Sequence, residues 1–139
     1  MSSRGKLLYT AKTRTTGGRE SGMARSDDGR LDIRFAAPGA ARIGTNPEQL
    51  FAAAWSACFE SAIAHVARQR KIALPASATI EAEVDLKQES EGRFISARLN
   101  INLPGVERKA AEALVNEAHQ ICVYSKATRG NVDIAINLI

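Results

Sequence analysis

Between Asn46 and Arg70 the chain reads NPEQLFAAAWSACFESAIAHVARQR, and this stretch limits the possible folds more than any other. Asn46 suits a helix cap, Pro47 the first helical position, and Gln49 stands where a capping-box side chain reaches back. From Leu50 to Ala67 the polar residues are Ser56, Glu60, Ser61 and His65 alone. A helix apolar around most of its circumference is buried on several sides, so the pattern predicts a central core helix. Cys58 sits in its middle, with Trp55 and Phe51 three and seven residues back on the same face. A thiol there also packs well as a small hydrophobe, so chemistry at Cys58 has to be argued from the rest of the chain.

With 139 residues the chain is expected to form a single domain, 1–139, with a substantial core. Its 45% hydrophobic and 24% charged residues are the composition of a globular protein, not a disordered one. The basic residues behind the net charge of +4 are scattered and aromatics make up only 5%, so no nucleic-acid partner is expected. The opening MSSRGKLLYTAK lacks the apolar core of a signal peptide, and no run approaches the roughly 20 apolar residues that span a bilayer. A cytoplasmic location without a membrane partner follows as the expectation. In that compartment a cysteine pair is more often redox-active or metal-binding than structural. Cys58 and Cys122, the two cysteines, form no local motif and can meet only through the fold.

Strand formers fill Lys6 to Thr15, and Thr16-Gly17-Gly18 signals a turn followed at once by Arg19. Gly22 to Arg25 reads as a short strand. Ser26-Asp27-Asp28-Gly29 is a hairpin turn into Leu31 to Phe35, where apolar residues alternate with charges. The Pro- and Gly-containing loop AAPGAARIGT leads to the central helix. Beyond it, Thr79 to Gln88 and Phe94 to Leu103 alternate as two half-buried strands around a turn at Glu89 to Gly92. Val106 to Ile121 is amphipathic, with Ala110, Leu114, Ala118 and Ile121 on its apolar face and Cys122 at its end. Val123 to Arg129 crosses to a turn at Gly130-Asn131, and VDIAINLI makes a last strand. The predicted class is α+β, antiparallel strands around two helices. So apolar a central helix needs more cover than one small sheet provides, and a dimer would supply it.

The thiolate is the reactive form of cysteine, and a free thiol has a pKa near 8.5. The dipole of the central helix fades within its first turn, well before Cys58. A cation must come from elsewhere, and Arg19 is a placeable guanidinium that Glu48 could orient through a bidentate contact. Glu48 and Cys58 lie about 15 Å apart along one helix, which stretches a single arginine between them and points to a site shared with a second subunit. A solvated turn charge for Arg19 and a first-turn carboxylate for Glu48 are the plainer readings of the same residues. Cys58, His65, His119 and Cys122 also allow a zinc site, although their spacing matches neither finger nor ribbon. Helix-surface or structural roles account for both histidines as well.

Three runs, TGGR at 16–19, TNPEQLFAAAWSACF at 45–59 and HQICVYSKATRGNVD at 119–133, resemble the organic hydroperoxide resistance subfamily of the Ohr/OsmC family. The resemblance is collinear over essentially the whole chain. It implies an OsmC-like fold in an intertwined homodimer, and a cysteine-based peroxidase that works without metal, haem, flavin or other cofactor. By the same resemblance Cys58 is the peroxidatic cysteine, Cys122 the resolving one, and Arg19 and Glu48 activate the thiolate. The implied partners are an organic hydroperoxide and a dithiol reductant, a lipoylated protein. Phe51 and Trp55 are candidate apolar walls of the substrate site. An OsmC-like paralogue with another peroxide or reductant is the alternative function. Two positions depart from the family pattern: Val123 follows Cys122 where proline is usual, and Ser21 takes the place of the glycine two residues after the arginine, with Gly22 next. Losing the proline loosens the turn after Cys122.

Overall fold

The computed structural model describes residues 5–139. The chain divides into two units, one ending at Pro47 and one running from Glu48 to Ile139.

In the N-terminal unit β1 (Thr13–Thr16), β2 (Met23–Ser26) and β3 (Asp32–Arg34) form an antiparallel sheet in that order. The hairpin turn between β2 and β3 is held by side chains. Ser26 Oγ donates to Asp28 Oδ1 at 2.6 Å and accepts from the Leu31 N–H at 2.9 Å, while the Arg30 N–H donates to Asp28 Oδ1. β1 starts much later than expected. β2 supplies ladder partners only from Thr13 to Thr16, so the strand formers before Thr13 have no strand to pair with among the described residues. After β1 comes α1 (Gly18–Ser21), a single helical turn that carries Arg19.

The C-terminal unit opens on α2 (Pro47–Gln69), close to the predicted helix. β4 (Thr79–Glu89) and β5 (Gly92–Asn102) pair antiparallel, from Thr79 opposite Asn102 to Glu89 opposite Gly92. β6 (Asp133–Leu138) adds to the other side of β5, with Ser96 opposite Asp133, and it runs parallel. This corrects the all-antiparallel expectation. A parallel neighbour needs a crossover that carries the chain back to the same end, and α3 (Arg108–Ile121) with α4 (Val123–Thr128) is that crossover. α4 replaces the expected plain crossing; six residues are too few for periodicity to reveal.

α3 begins at Arg108 behind an N-cap, where the Glu107 carboxylate accepts from the Ala110 N–H at 3.0 Å. Its buried face is Ala111, Leu114, Val115 and Ala118, continuing to Cys122. Ile121, expected on that face, is instead 42% exposed. Trp55, Phe59 and Ile63 of α2, Leu99 and Ile101 of β5, and Leu114 of α3 are among the side chains closing one core. Truncating any of these to alanine is expected to cost about 2–5 kcal/mol. By length and composition alone α2 meets the requirement for a membrane span, with a mean hydropathy of 1.3, contrary to the expectation that no run would. Its alanines lift that mean, and its large side chains Trp55, Phe59 and Ile63 are spent on the core.

Candidate active site

Cys58 projects from the middle of α2 and is half-buried; Cys122, at the C-terminal end of α3, is 1% exposed. Both are free thiols, and the Cys122 thiol donates to Cys58 Sγ at 3.5 Å. A disulfide has an S–S length of about 2.05 Å, so a short approach of the sulfurs closes the gap. The pair is unequal: Cys58 keeps part of its surface exposed, while Cys122 is buried. Burial pushes the Cys122 thiol up, the Ser125 backbone N–H and hydroxyl draw it down, and neighbouring Cys58 raises it further.

Trp55 and Phe51 sit on the Cys58 helix in different roles. Trp55 is wholly buried, with its Nε1–H donating to Ser125 Oγ at 3.3 Å. It presents no surface to solvent. Phe51 is half-buried, 5.6 Å from the Trp55 ring and 6.3 Å from the Tyr124 ring, which it meets edge-on. Phe51 and Tyr124 thus form an aromatic pair, worth about 0.5–1.5 kcal/mol beyond its buried area.

Arg19 and Glu48 belong to different units. Arg19 rides on α1, entered through Gly17 at φ 80° and Gly18 at φ 75°. Gly22 closes the turn, its N–H donating to Gly18 O at 2.9 Å. A Cβ on Gly22 would lie 2.3 Å from the carbonyl oxygens of both Gly18 and Thr16, so no other residue fits. Gly22 therefore meets a steric requirement of this turn, and Ser21 is accommodated with its Oγ donating to Gly17 O. Arg42 braces the same turn: its Nε donates to Phe35 O at 2.9 Å and its Nη2 to Gly22 O at 3.2 Å. Glu48 stands in the first turn of α2.

Of the four residues weighed for zinc, the two cysteines meet, but neither histidine joins them. His65 is exposed, and among the described residues no three His, Cys, Asp or Glu side chains are placed to hold a metal ion together. His119 stacks near Phe59 at 6.3 Å, with its Nδ1 buried and unpartnered. Burial, and then the charge of Arg129, hold its pKa below the usual 6.5. Unfolded chain therefore takes up a proton near 6.5 that the folded chain resists, and stability falls as pH drops through that value. His119→Phe should remove this part of the acid slope in urea midpoints measured between pH 8 and pH 5. An unchanged slope would mean that His119 protonates without cost.

A groove of about 660 Å³ runs along β1 and β2, lined by Arg14, Met23, Arg25 and Asp32 among others, with no cysteine in its wall. Three residues of the sites described here escaped the sequence reading: Ser125, Tyr124 and Arg42. A buried indole N–H demands an acceptor, which the sequence does signal at Trp55, but nothing in it names Ser125 as that acceptor.

Comparison with known proteins gives consistent matches. The family described as OsmC-like protein matches residues 38–137. The organic hydroperoxide resistance protein of Xanthomonas axonopodis pv. citri (strain 306) is 46% identical over 142 residues, covering 99% of each chain. The organic hydroperoxide resistance protein OhrB of Bacillus subtilis (strain 168) is 48% identical over 136 residues, covering 94% of this chain and 98% of its own. The crystal structure of Bacillus subtilis OhrB superposes with a TM-score of 0.89, covering 96% of this chain and all of that one.

Proposed function

The chain belongs to the OsmC-like family, in its organic hydroperoxide resistance branch, and from that premise we propose that it is a thiol-dependent peroxidase reducing organic hydroperoxides to alcohols. The observation that carries this reading is the reduced thiol pair, 3.5 Å apart, with Cys58 accessible and Cys122 buried. Cys58 thiolate attacks the distal peroxide oxygen, the O–O bond breaks, and the alkoxide leaves as alcohol after taking a proton. The product on Cys58 is a sulfenic acid. Cys122 sulfur then attacks Cys58 sulfur, the S–O bond breaks, and water leaves as the disulfide forms. An external dithiol of lipoyl type reopens it by exchange. Two thiols and that dithiol balance the electrons, so the scheme calls on no cofactor.

Arg19 is assigned the charge that stabilises the thiolate and the developing alkoxide, with Glu48 orienting it. Support for both is their place in the TGGR and TNPEQ runs, which resemble the family's. Phe51, joined by Tyr124, supplies the apolar wall that favours alkyl and aryl hydroperoxides; Trp55 supports that wall from below. The test is turnover with tert-butyl hydroperoxide and hydrogen peroxide, each with lipoyl dithiol and with thioredoxin. Fast turnover is expected for the organic peroxide with the lipoyl dithiol, and equal rates for both peroxides would contradict the apolar site.

Residues 1–139 are taken to act as one functional unit in the cytoplasm, with no membrane or nucleic-acid partner, and as a homodimer. Leu7, Leu8, Tyr9 and Ile43 are between 77% and 91% exposed, and the first three lie in the strand-forming segment with no ladder partner among the described residues. A second copy covering them is expected to give a scattering mass near twice 14.9 kDa at micromolar concentration. Leu8→Glu should shift it toward monomer; a stable wild-type monomer would contradict the dimer.

A further inference from the structure

We infer that Arg42 is a positioning residue for Arg19, its guanidinium clamping the end of the turn on which Arg19 rides. This inference rests on the role proposed for Arg19 above. α1 is a single turn, Gly18–Ser21, with no buried residue and no side-chain cap at its start. A lone turn is unfavourable by itself, because one hydrogen bond does not offset the backbone freedom it costs. With no side chain in a core, α1 has to be held through its ends. β1 and β2 close the base of this loop, with Thr16 opposite Met23. One residue above that base stands Gly22, three past Arg19, and its N–H closes the turn on Gly18 O at 2.9 Å. The Gly22 carbonyl accepts twice, from the Phe35 N–H at 2.9 Å and from Arg42 Nη2 at 3.2 Å. A shift at Gly22 therefore carries through α1 to Arg19.

Arg42 reaches Gly22 from a different loop. Residues 36–45 leave β3 and return beside it, pinched where the Ala36 N–H donates to Thr45 O at 2.9 Å and the Thr45 N–H to Arg34 O at 2.8 Å. A Cβ on Gly44 would lie 2.8 Å from Arg34 O, so the neck of this loop admits only glycine there. From that loop Arg42 donates through Nε to Phe35 O at 2.9 Å and through Nη2 to Gly22 O. A guanidinium carries its donors in one rigid fork, so the two bonds together fix the Gly22 carbonyl against the end of β3. Both donors belong to a charged group, which makes these the stronger class of hydrogen bond. The fork, and not the charge alone, is what the turn needs from Arg42.

The experiment is a double-mutant cycle on the full chain, read as single-turnover reduction of tert-butyl hydroperoxide at pH 7 and as iodoacetamide alkylation of Cys58 in a Cys122→Ser background. Arg42→Ala should slow both about fivefold, less than Arg19→Ala does. Added to Arg19→Ala it should slow neither further, because it acts through Arg19. Arg42→Lys should recover only part of the loss, since an ammonium is a point charge without the fork. Arg42 is exposed, so both variants are expected to keep the fold. Amide hydrogen exchange checks this: it should quicken over residues 16–36 in Arg42→Ala while α2 keeps its protection. Unchanged rates in Arg42→Ala, unchanged exchange over 16–36, equal losses with and without Arg19, or full recovery in Arg42→Lys would each overturn the assignment. An Arg19→Ala variant that itself keeps both rates would overturn the role of Arg19, and with it the inference that stands on it.

Discussion

Cys58→Ser is expected to lower hydroperoxide consumption to the uncatalysed level, the largest effect of any substitution in the chain. A serine hydroxyl is a far weaker nucleophile than a thiolate at neutral pH. Cys122→Ser should behave differently. Its Cys58 remains accessible, reacts once with hydroperoxide and stops as the sulfenic acid. Excess peroxide then carries that sulfur to sulfinic acid, because the buried partner that intercepts it is gone. Mass spectrometry of the two variants after one and ten equivalents of tert-butyl hydroperoxide separates these outcomes. Equal turnover in both variants would exclude the order of attack assigned to the two sulfurs.

Arg19→Ala should produce the second largest loss. Cys58 lies too far along α2 for the helix dipole to reach, and the role proposed for Arg19 is to bring the cation instead. Without Arg19, peroxide reduction at pH 7 should fall by tenfold or more, about 1.4 kcal/mol or more in the barrier. Arg19→Lys should recover part of this, since an ammonium is a point charge that cannot grip a carboxylate and a sulfur site together. Glu48→Gln should be milder than Arg19→Ala, as it loosens the arginine without removing it. Alkylation of Cys58 at pH 7 in a Cys122→Ser background isolates the effect on the sulfur. An alkylation rate untouched by Arg19→Ala would assign activation to another group.

Much of this was legible from residue patterns because the signals are local. The apolar run with Pro47 at its head fixed α2 to within a residue, and the alternation of Ile80, Ala82 and Val84 with charges marked β4. What escaped was set by partners far along the chain. Lys6 to Lys12 has strand composition, but a strand exists only where a neighbour pairs with it, and β2 is too short to reach. The parallel run of β6 follows from the α3–α4 crossover, which no residue in VDIAINLI announces. Leu114 and Ala118 are buried as read, but Ile121 fell outside the core because the rest of the stripe is Ala111, Val115 and Cys122, on one side of the face expected. At the site, the two cysteines were legible by type, whereas the full burial of Trp55 and its bond to Ser125 were not. Gly22 shows the converse: beside the departure at Ser21 stands a glycine whose position admits no Cβ.

The central claim is that an organic hydroperoxide converts the thiol pair into a disulfide within one chain. Its most direct test is one equivalent of tert-butyl hydroperoxide added to the reduced protein, followed by thiol titration and peptide mass mapping under non-reducing conditions. The account predicts that both thiols vanish together, that the Cys58 and Cys122 peptides become linked within a single chain lighter by a pair of hydrogens, and that lipoyl dithiol restores both. Loss of one thiol only, or a disulfide joining two chains, would contradict it.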